Sequence, residues 1–250
     1  MVTGQHIGMT QTIQTPIGYK QLEALNKGVH RFALAQEASF AFCAGLNALP
    51  LTVSEFPVAC HHYPIVFASP NGKDDFGAAV VTGLKTVQNL FCGTDGKWRA
   101  NVYVPAYVRC YPFCLASIVE EGKTRLNKLV CIAKEAVVPG GLELFTESGD
   151  PTPLWREREK LLQEYENDTA RTAEMCRTLK SMGLFKDFAI QATTPGKELI
   201  NLAGMYRVDE AAIAQLGASQ FRKLIEQGWL EKIYAHIISL RNFQALVDCS

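Results

Sequence analysis

Hydrophobic and polar positions follow two different rhythms along this chain. Up to about residue 150, short apolar runs alternate with turn residues, and beyond it apolar positions recur at helical spacing. Within the first region one pattern occurs twice. Pro57-Val-Ala-Cys-His-His-Tyr-Pro-Ile-Val-Phe-Ala68 lies over Pro105-Ala-Tyr-Val-Arg-Cys-Tyr-Pro-Phe-Cys-Leu-Ala116, 48 positions later, with four identities (Pro57, Tyr63, Pro64 and Ala68 against Pro105, Tyr111, Pro112 and Ala116). Val81-Thr-Gly-Leu-Lys85 corresponds to Val130-Cys-Ile-Ala-Lys134, and Leu90-Phe91 before Gly96 to Leu144-Phe145 before Gly149. Proline suits the first turn of a short helix, where its missing N–H costs nothing. Tyr-Pro then stops that helix, because the residue before proline is pushed out of the α region. The apolar run that follows predicts a buried strand (Ile65-Val66-Phe67, then Phe113-Cys114-Leu115), with a second near 79–82 and 129–132 and a third at Leu90-Phe91 or Leu144-Phe145. Two helix–strand–strand–strand units related by duplication result, forming a mixed or antiparallel sheet or a half-barrel core.

From residue 152 the pattern predicts a long helix. Thr152 caps it, Pro153 opens it, Leu161, Tyr165, Thr172, Met175, Leu179 and Met182 form its apolar stripe, and Gly183 closes it. The run Arg156-Glu157-Arg158-Glu159-Lys160 reads as its solvated face. A hairpin follows, with strands at 188–193 and 199–202 and a turn at Thr194-Pro195-Gly196-Lys197. Asp209 caps a short helix and Ser219 another that ends before Gly228. A last helix from Trp229 to about Val247 carries Leu230, Ile233, Tyr234, Ile237 and Leu240 on one stripe. The fold class is therefore α+β, with a helical C-terminal half that contains one hairpin. Residues 1–29 read as a leader and N-terminal segment, 30–150 as the duplicated unit (copies about 52–98 and 100–150), and 151–250 as a helical region packed on it, all in one compact domain. Met1 and Met9 are both candidate starts, the second leaving residues 1–8 as a disordered leader.

Composition narrows the function classes. Twenty-five basic and 25 acidic residues cancel, which argues against a nucleic-acid or membrane-surface protein. No window reaches the roughly 18 uninterrupted apolar residues that a membrane span needs, and no signal peptide is recognisable. The eight cysteines (Cys43, Cys60, Cys92, Cys110, Cys114, Cys131, Cys176 and Cys249) mostly sit in apolar runs and read as core thiols. That reading places the protein in a reducing cytoplasm.

Candidate chemistry is sparse. Cys60-His61-His62, with Cys110 and Cys114 in the second copy, lacks the paired spacing of zinc ligands, so no metal and no cofactor is expected. The carboxylate pairs Asp74-Asp75, Glu120-Glu121 and Asp209-Glu210 fall at turns or helix starts, where solvation and capping account for them. Gly140-Gly141 lacks the rest of a phosphate loop, and neither G-x-S-x-G nor H-E-x-x-H occurs. The candidate ligand-binding residues are His62, Tyr63, Arg109, Tyr111, Tyr234 and His236. His236 reads as a histidine beside the apolar stripe of the last helix, hydrogen-bonded to another segment.

Three stretches together resemble the SapC family, bacterial proteins linked by name to surface-layer proteins. They are Phe40-Ala-Phe-Cys-Ala-Gly-Leu-Asn-Ala-Leu-Pro-Leu51 with Glu55-Phe56 and Tyr63-Pro-Ile-Val-Phe67; Trp98, Tyr103-Val-Pro-Ala106 and Tyr111-Pro-Phe113; and Val208-Asp-Glu210 with Gly228, Leu230 and Ile233-Tyr-Ala-His-Ile-Ile-Ser-Leu240. The likeness runs from about His30 to the end, and residues 1–20 match nothing in it. It implies a cytosolic protein with an accessory role in making, modifying or exporting other proteins, and it carries over no catalytic residue. Three functions stay open: a non-enzymatic protein that binds a peptide or protein partner; an enzyme with a diffuse site using His62, Arg109, Tyr111 or His236; and a structural homodimer.

Overall fold

A computed structural model describes residues 4–6, 11–37, 39–69, 75–120, 123–124, 128–193 and 195–250. Asp74, Glu121, Thr194, Met1 and Met9, on which some sequence expectations fall, lie outside them. The first half of the chain forms short elements: β1 (Gly4–His6), β2 (Gln11–Gln14), β3 (Leu22–Ala24), β4 (Phe32–Leu34), β5 (Ala48–Pro50), α1 (Phe56–Ala59), β6 (Ile65–Ala68), β7 (Gly77–Val81), α2 (Ala106–Cys110), β8 (Phe113–Ala116), β9 (Ile118–Glu120), β10 (Lys123–Thr124), β11 (Leu129–Ala133) and β12 (Leu142–Glu143). The long helix α3 (Pro153–Ser181) follows, then β13 (Phe185–Thr193), β14 (Leu199–Val208), α4 (Glu210–Ala214), α5 (Ala218–Glu226), α6 (Trp229–Ser239) and α7 (Asn242–Asp248). Strand pairing among the described residues is antiparallel, and the fold is α+β with a helical C-terminal half.

The chain divides into two compact units. The first comprises Met1–Phe42 and Val108–Glu166. It contains a sheet of order β1-β2-β9-β10, a second of order β3-β11-β8, and the pair β12-β4. Phe113, Ile132, Leu144, Phe145 and Trp155 form its core, with the Phe113 and Trp155 rings edge to face at 5.1 Å. Tyr19 donates its hydroxyl proton to the Phe113 carbonyl at 2.9 Å.

The second unit comprises Cys43–Tyr107 and Asn167–Ser250, and its sheet has the order β13-β14-β6-β7-β5. Phe56, Phe67, Leu49, Ile65, Met175 and Leu179 are fully or almost fully buried there. The Val53 N–H donates to Thr172 Oγ1 at 2.8 Å, which is why a threonine sits on the apolar stripe of α3.

One hydrogen-bond pattern occurs in both units. In the second, β6 pairs with β7 (Ile65 opposite Val80) and β5 with β7 (Ala48 opposite Val81). In the first, β8 pairs with β11 (Phe113 opposite Ile132) and β3 with β11 (Leu22 opposite Ala133). Val81 N–H reaches the Pro64 carbonyl at 2.9 Å, as Ala133 N–H reaches that of Pro112 at 2.8 Å. These bonds match Val81 to Ala133, not to Val130. The turns behind them agree as well. Gly96 and Gly149 both have positive φ, and their N–H groups donate to the carbonyls of Gly93 and Thr146, each at 2.9 Å. Arg99 N–H bonds the Phe91 carbonyl where Thr152 N–H bonds that of Leu144. So Phe91 answers to Leu144, one residue away from the match that identity suggests. Leu90-Phe91 forms no strand. An isolated bridge between Cys92 and Trp98 takes that place, as one between Phe145 and Pro151 does in the first unit.

Other differences from the sequence expectation have local causes. Ser219 lies inside α5, whose N-cap is Gly217; Gln220 Oε1 accepts from the Gly217 N–H at 3.2 Å. The last helix breaks into α6 and α7. Ser239 Oγ donates to the His236 carbonyl at 2.6 Å and accepts from the Ile65 N–H at 2.8 Å. A serine bonded back to its own helix competes with the regular ladder, and Asn242 then fastens α7 through bonds to the Cys60 and Tyr63 carbonyls. Asp209 does cap α4, accepting from the Ala211 N–H at 3.2 Å.

Glu55 ties the second unit together. Its carboxylate is buried, and it accepts from Thr52 N–H and Oγ1 (both 2.8 Å), from the Tyr103 hydroxyl (3.0 Å) and from the Ala106 N–H (2.6 Å). Removing an acceptor that satisfies four donors, three of them buried, leaves those three to bear their own desolvation. Glu55→Ala should therefore destabilise the protein by about 3–5 kcal/mol, measured by urea unfolding; a loss under about 1 kcal/mol would mean that these donors find water or other acceptors.

Candidate functional site

A cavity of about 700 Å³ opens in the first unit. Its wall is built from six stretches of that unit, Lys20 being one. Leu34, at the end of β4, leads into the segment that carries Phe40 and Phe42; Arg109 stands on α2; Tyr111 and Pro112 form the corner before β8; Ala136 lies in a 3-10 turn after β11; Leu142 belongs to β12; and Leu154, Arg158 and Leu161 come from α3. Leu154, Arg158 and Leu161 stand at i, i+4 and i+7 of α3, so one helical face supplies all three.

Aromatic packing shapes one side of this cavity. Phe42 and Tyr111 stack with ring centres 4.1 Å apart and planes within 5°, and Tyr19 leans on both at 5.3 and 5.4 Å. The Tyr111-Pro112 peptide bond is cis. Burial, reinforced by the nearby Glu135 carboxylate, pushes the Tyr111 hydroxyl up to about 12. Tyr111 therefore keeps its proton at neutral pH and can donate a hydrogen bond, but it is a poor general base.

The charged residues of the wall differ in exposure. Lys20, Glu37, Arg109, Glu135 and Glu157 are exposed, whereas Arg158 is half-buried. The Arg158 Nε is fully covered and has no hydrogen-bond partner. The described lining includes no histidine and no cysteine, so the wall offers neither an imidazole base nor a thiol nucleophile. No group of three or more histidine, cysteine or acidic side chains suited to a metal ion occurs among the described residues.

Of the six residues singled out from the sequence, the cavity brings together Arg109 and Tyr111. The other four belong to the second unit. Tyr63 is a core residue: its hydroxyl donates to the Tyr103 carbonyl and accepts from Trp98 Nε1 at 3.1 Å, and burial raises its pKa. His62 is half-exposed in the turn after α1, with its pKa lowered by desolvation and then by His61. Tyr234 is exposed on α6. Sequence periodicity put it on the docking stripe, but the buried face of α6 runs instead through Trp229, Ile233, His236 and Ser239.

His236 is fully buried, not at a boundary, and it is bonded to two segments. Nδ1 stands 2.8 Å from the Ile65 carbonyl, and Nε2 lies 3.1 Å from the Val208 N–H. The carbonyl can only accept and the amide can only donate, so the ring is neutral with its proton on Nδ1. This histidine joins β6, β14 and α6 as a structural group.

Phe42, Leu142, Leu154, Arg158 and Leu161 enter the site without having been singled out for it. Phe42 lies in the first family-like stretch, which was the signal available. Arg158 was hidden inside a run of charges that otherwise behaves as a solvated face.

The SapC family model matches residues 25–246. The chain belongs to the SapC family. No curated protein and no solved structure matches it. No helix among the described residues is long and apolar enough to cross a membrane.

The His236 geometry sets a pH dependence. Burial first, opposed by the Ile65 carbonyl and aided by Arg207, lowers its pKa to about 4. An unfolded histidine takes a proton near pH 6.5, while the folded one refuses it until about pH 4. Over that window the unfolded state binds more protons, so stability falls as pH drops through it. Wild type should lose roughly 2 kcal/mol more than His236→Gln between pH 7 and pH 5 in parallel urea titrations. Equal losses would show that the ring is not held neutral.

Proposed function

We propose that this SapC-family chain is a non-enzymatic accessory protein that binds a peptide or protein partner through the cavity of its first unit. The observation that carries this reading is the composition of the wall. Aliphatic and aromatic side chains with a few polar groups at fixed places are what ligand sites present, and about 700 Å³ falls in the range of such sites. Arg109 and Tyr111, two residues that the enzyme reading would also use, lie there beside no histidine, and Tyr111 is held protonated. That combination favours holding a ligand over transforming one.

The family name supports a role with surface proteins by association only. Seven buried, unbridged thiols suit a reducing cytoplasm as the place of action. The paired hydrogen-bond patterns of the two units support an origin by duplication, after which one copy opened its Tyr-Pro corner to a ligand.

A display selection for peptides that bind the purified chain tests the function. Enriched peptides should lose at least ten-fold in affinity for Ala136→Trp, a variant that fills the cavity, while its circular dichroism stays that of wild type. Failure to enrich any peptide, or equal binding to the filled variant, would remove the cavity from the function.

A further inference from the structure

Arg158 is out of keeping with its surroundings. It projects from α3 between Leu154 and Leu161 on the face that lines the cavity, and it is half-buried. Among the described residues its side chain makes no ion pair and no hydrogen bond, and its Nε is covered by protein without an acceptor. A guanidinium drawn partly out of water with no counter-charge is unfavourable. An apolar residue at this position would extend the wall at no such cost.

The five other charges of the lining do not share this predicament. Lys20, Glu37, Arg109, Glu135 and Glu157 are exposed, so water and salt screen them. The less exposed part of the lining holds one charged group, Arg158, and it is positive. Arginine presents a planar fork that matches a carboxylate with two parallel hydrogen bonds. Tyr111 lines the same cavity and brings a second donor.

We propose that the cavity takes the carboxy-terminal end of a peptide whose last residues are apolar, with the terminal carboxylate paired to the Arg158 guanidinium. The apolar side chains then lie against Leu34, Phe42, Leu142, Leu154 and Leu161. The rim, with charges of both signs, suits the polar main chain leading out of the cavity and gives a plain alkyl chain nothing to bond. This inference rests on the peptide-binding reading of the same cavity and specifies which part of the peptide is held.

Calorimetric titration of the full chain separates the two. The probes are a pool of acetylated tripeptides ending in Leu, Ile, Val or Phe, supplied as free acids and as carboxamides, and dodecanoate as a plain acyl carboxylate. The free acids should bind wild type at least ten-fold more tightly than the amides. Arg158→Gln should bring the acids down to the level of the amides, and a circular dichroism spectrum like that of wild type reports that the variant is folded. Arg158→Lys should keep part of the preference. Equal binding of acids and amides to wild type would overturn the carboxylate contact and leave the peptide-binding reading standing. Dodecanoate binding without any peptide would overturn the chain-end assignment, and binding of none of the probes would overturn both.

Discussion

A single buried carboxylate organises the second unit. Glu55 sits where the chain turns from β5 into α1, and its four donors come from Thr52, Tyr103 and Ala106. One oxygen closes the turn before α1, and the other receives the first N–H of α2. The two helix starts are thereby set by the same group, although about 50 residues separate them in sequence. Taking a charge out of water is costly, and only a full set of well-placed donors offsets the cost. The arrangement leaves little freedom: displacing any of the three donor residues would strand the charge. Phe56, the residue after Glu55, is fully buried and packs its ring against Phe67.

The two Tyr-Pro corners show how one local solution supports different ends. Tyr63 and Tyr111 both stop a short helix and both precede an outer strand (β6 or β8) of a three-stranded array with the same register. In the second unit the phenol is swallowed by the core, bonded to Tyr103 and Trp98, and packed edge-on against Phe91 at 4.6 Å. In the first unit the phenol stacks on Phe42 and stays half-open beside a cavity. The backbone scheme is the same, while the side-chain neighbours decide whether the phenol is buried in a core or lines a cavity.

Much of the fold was legible because it depends on local rules. The start and stop of α3 follow from Thr152, Pro153 and Gly183, and Gly183 does adopt positive φ. The hairpin and the Asp209 cap follow from turn and capping chemistry, and strands at 65–68 and 113–116 from apolar runs after Tyr-Pro. What escaped depends on partners distant in sequence. The break between α6 and α7 needs Ile65 to engage Ser239. The burial of His236 needs acceptor and donor groups on β6 and β14, both far from α6 in sequence. Periodicity places a stripe on a helix but not the rotation of that stripe toward the sheet, so it puts Tyr234 on the docking stripe where the structure has it exposed. The candidate site was legible in two of its residues, Arg109 and Tyr111. Arg158 was not, because a charge in a charged run gives no sign that the helix turns that one position toward an apolar wall.

The distribution of thiols has a practical consequence. Cys43, Cys60, Cys92, Cys110, Cys114, Cys131 and Cys176 are buried, and Cys249 alone of the eight is exposed. Burial raises the pKa of Cys43, Cys114 and Cys176 among others, which keeps them as unreactive thiols. Cys249 is thus the single exposed attachment point among these eight thiols. A maleimide dye or spin label can be placed there on the wild-type protein, without first replacing seven core cysteines.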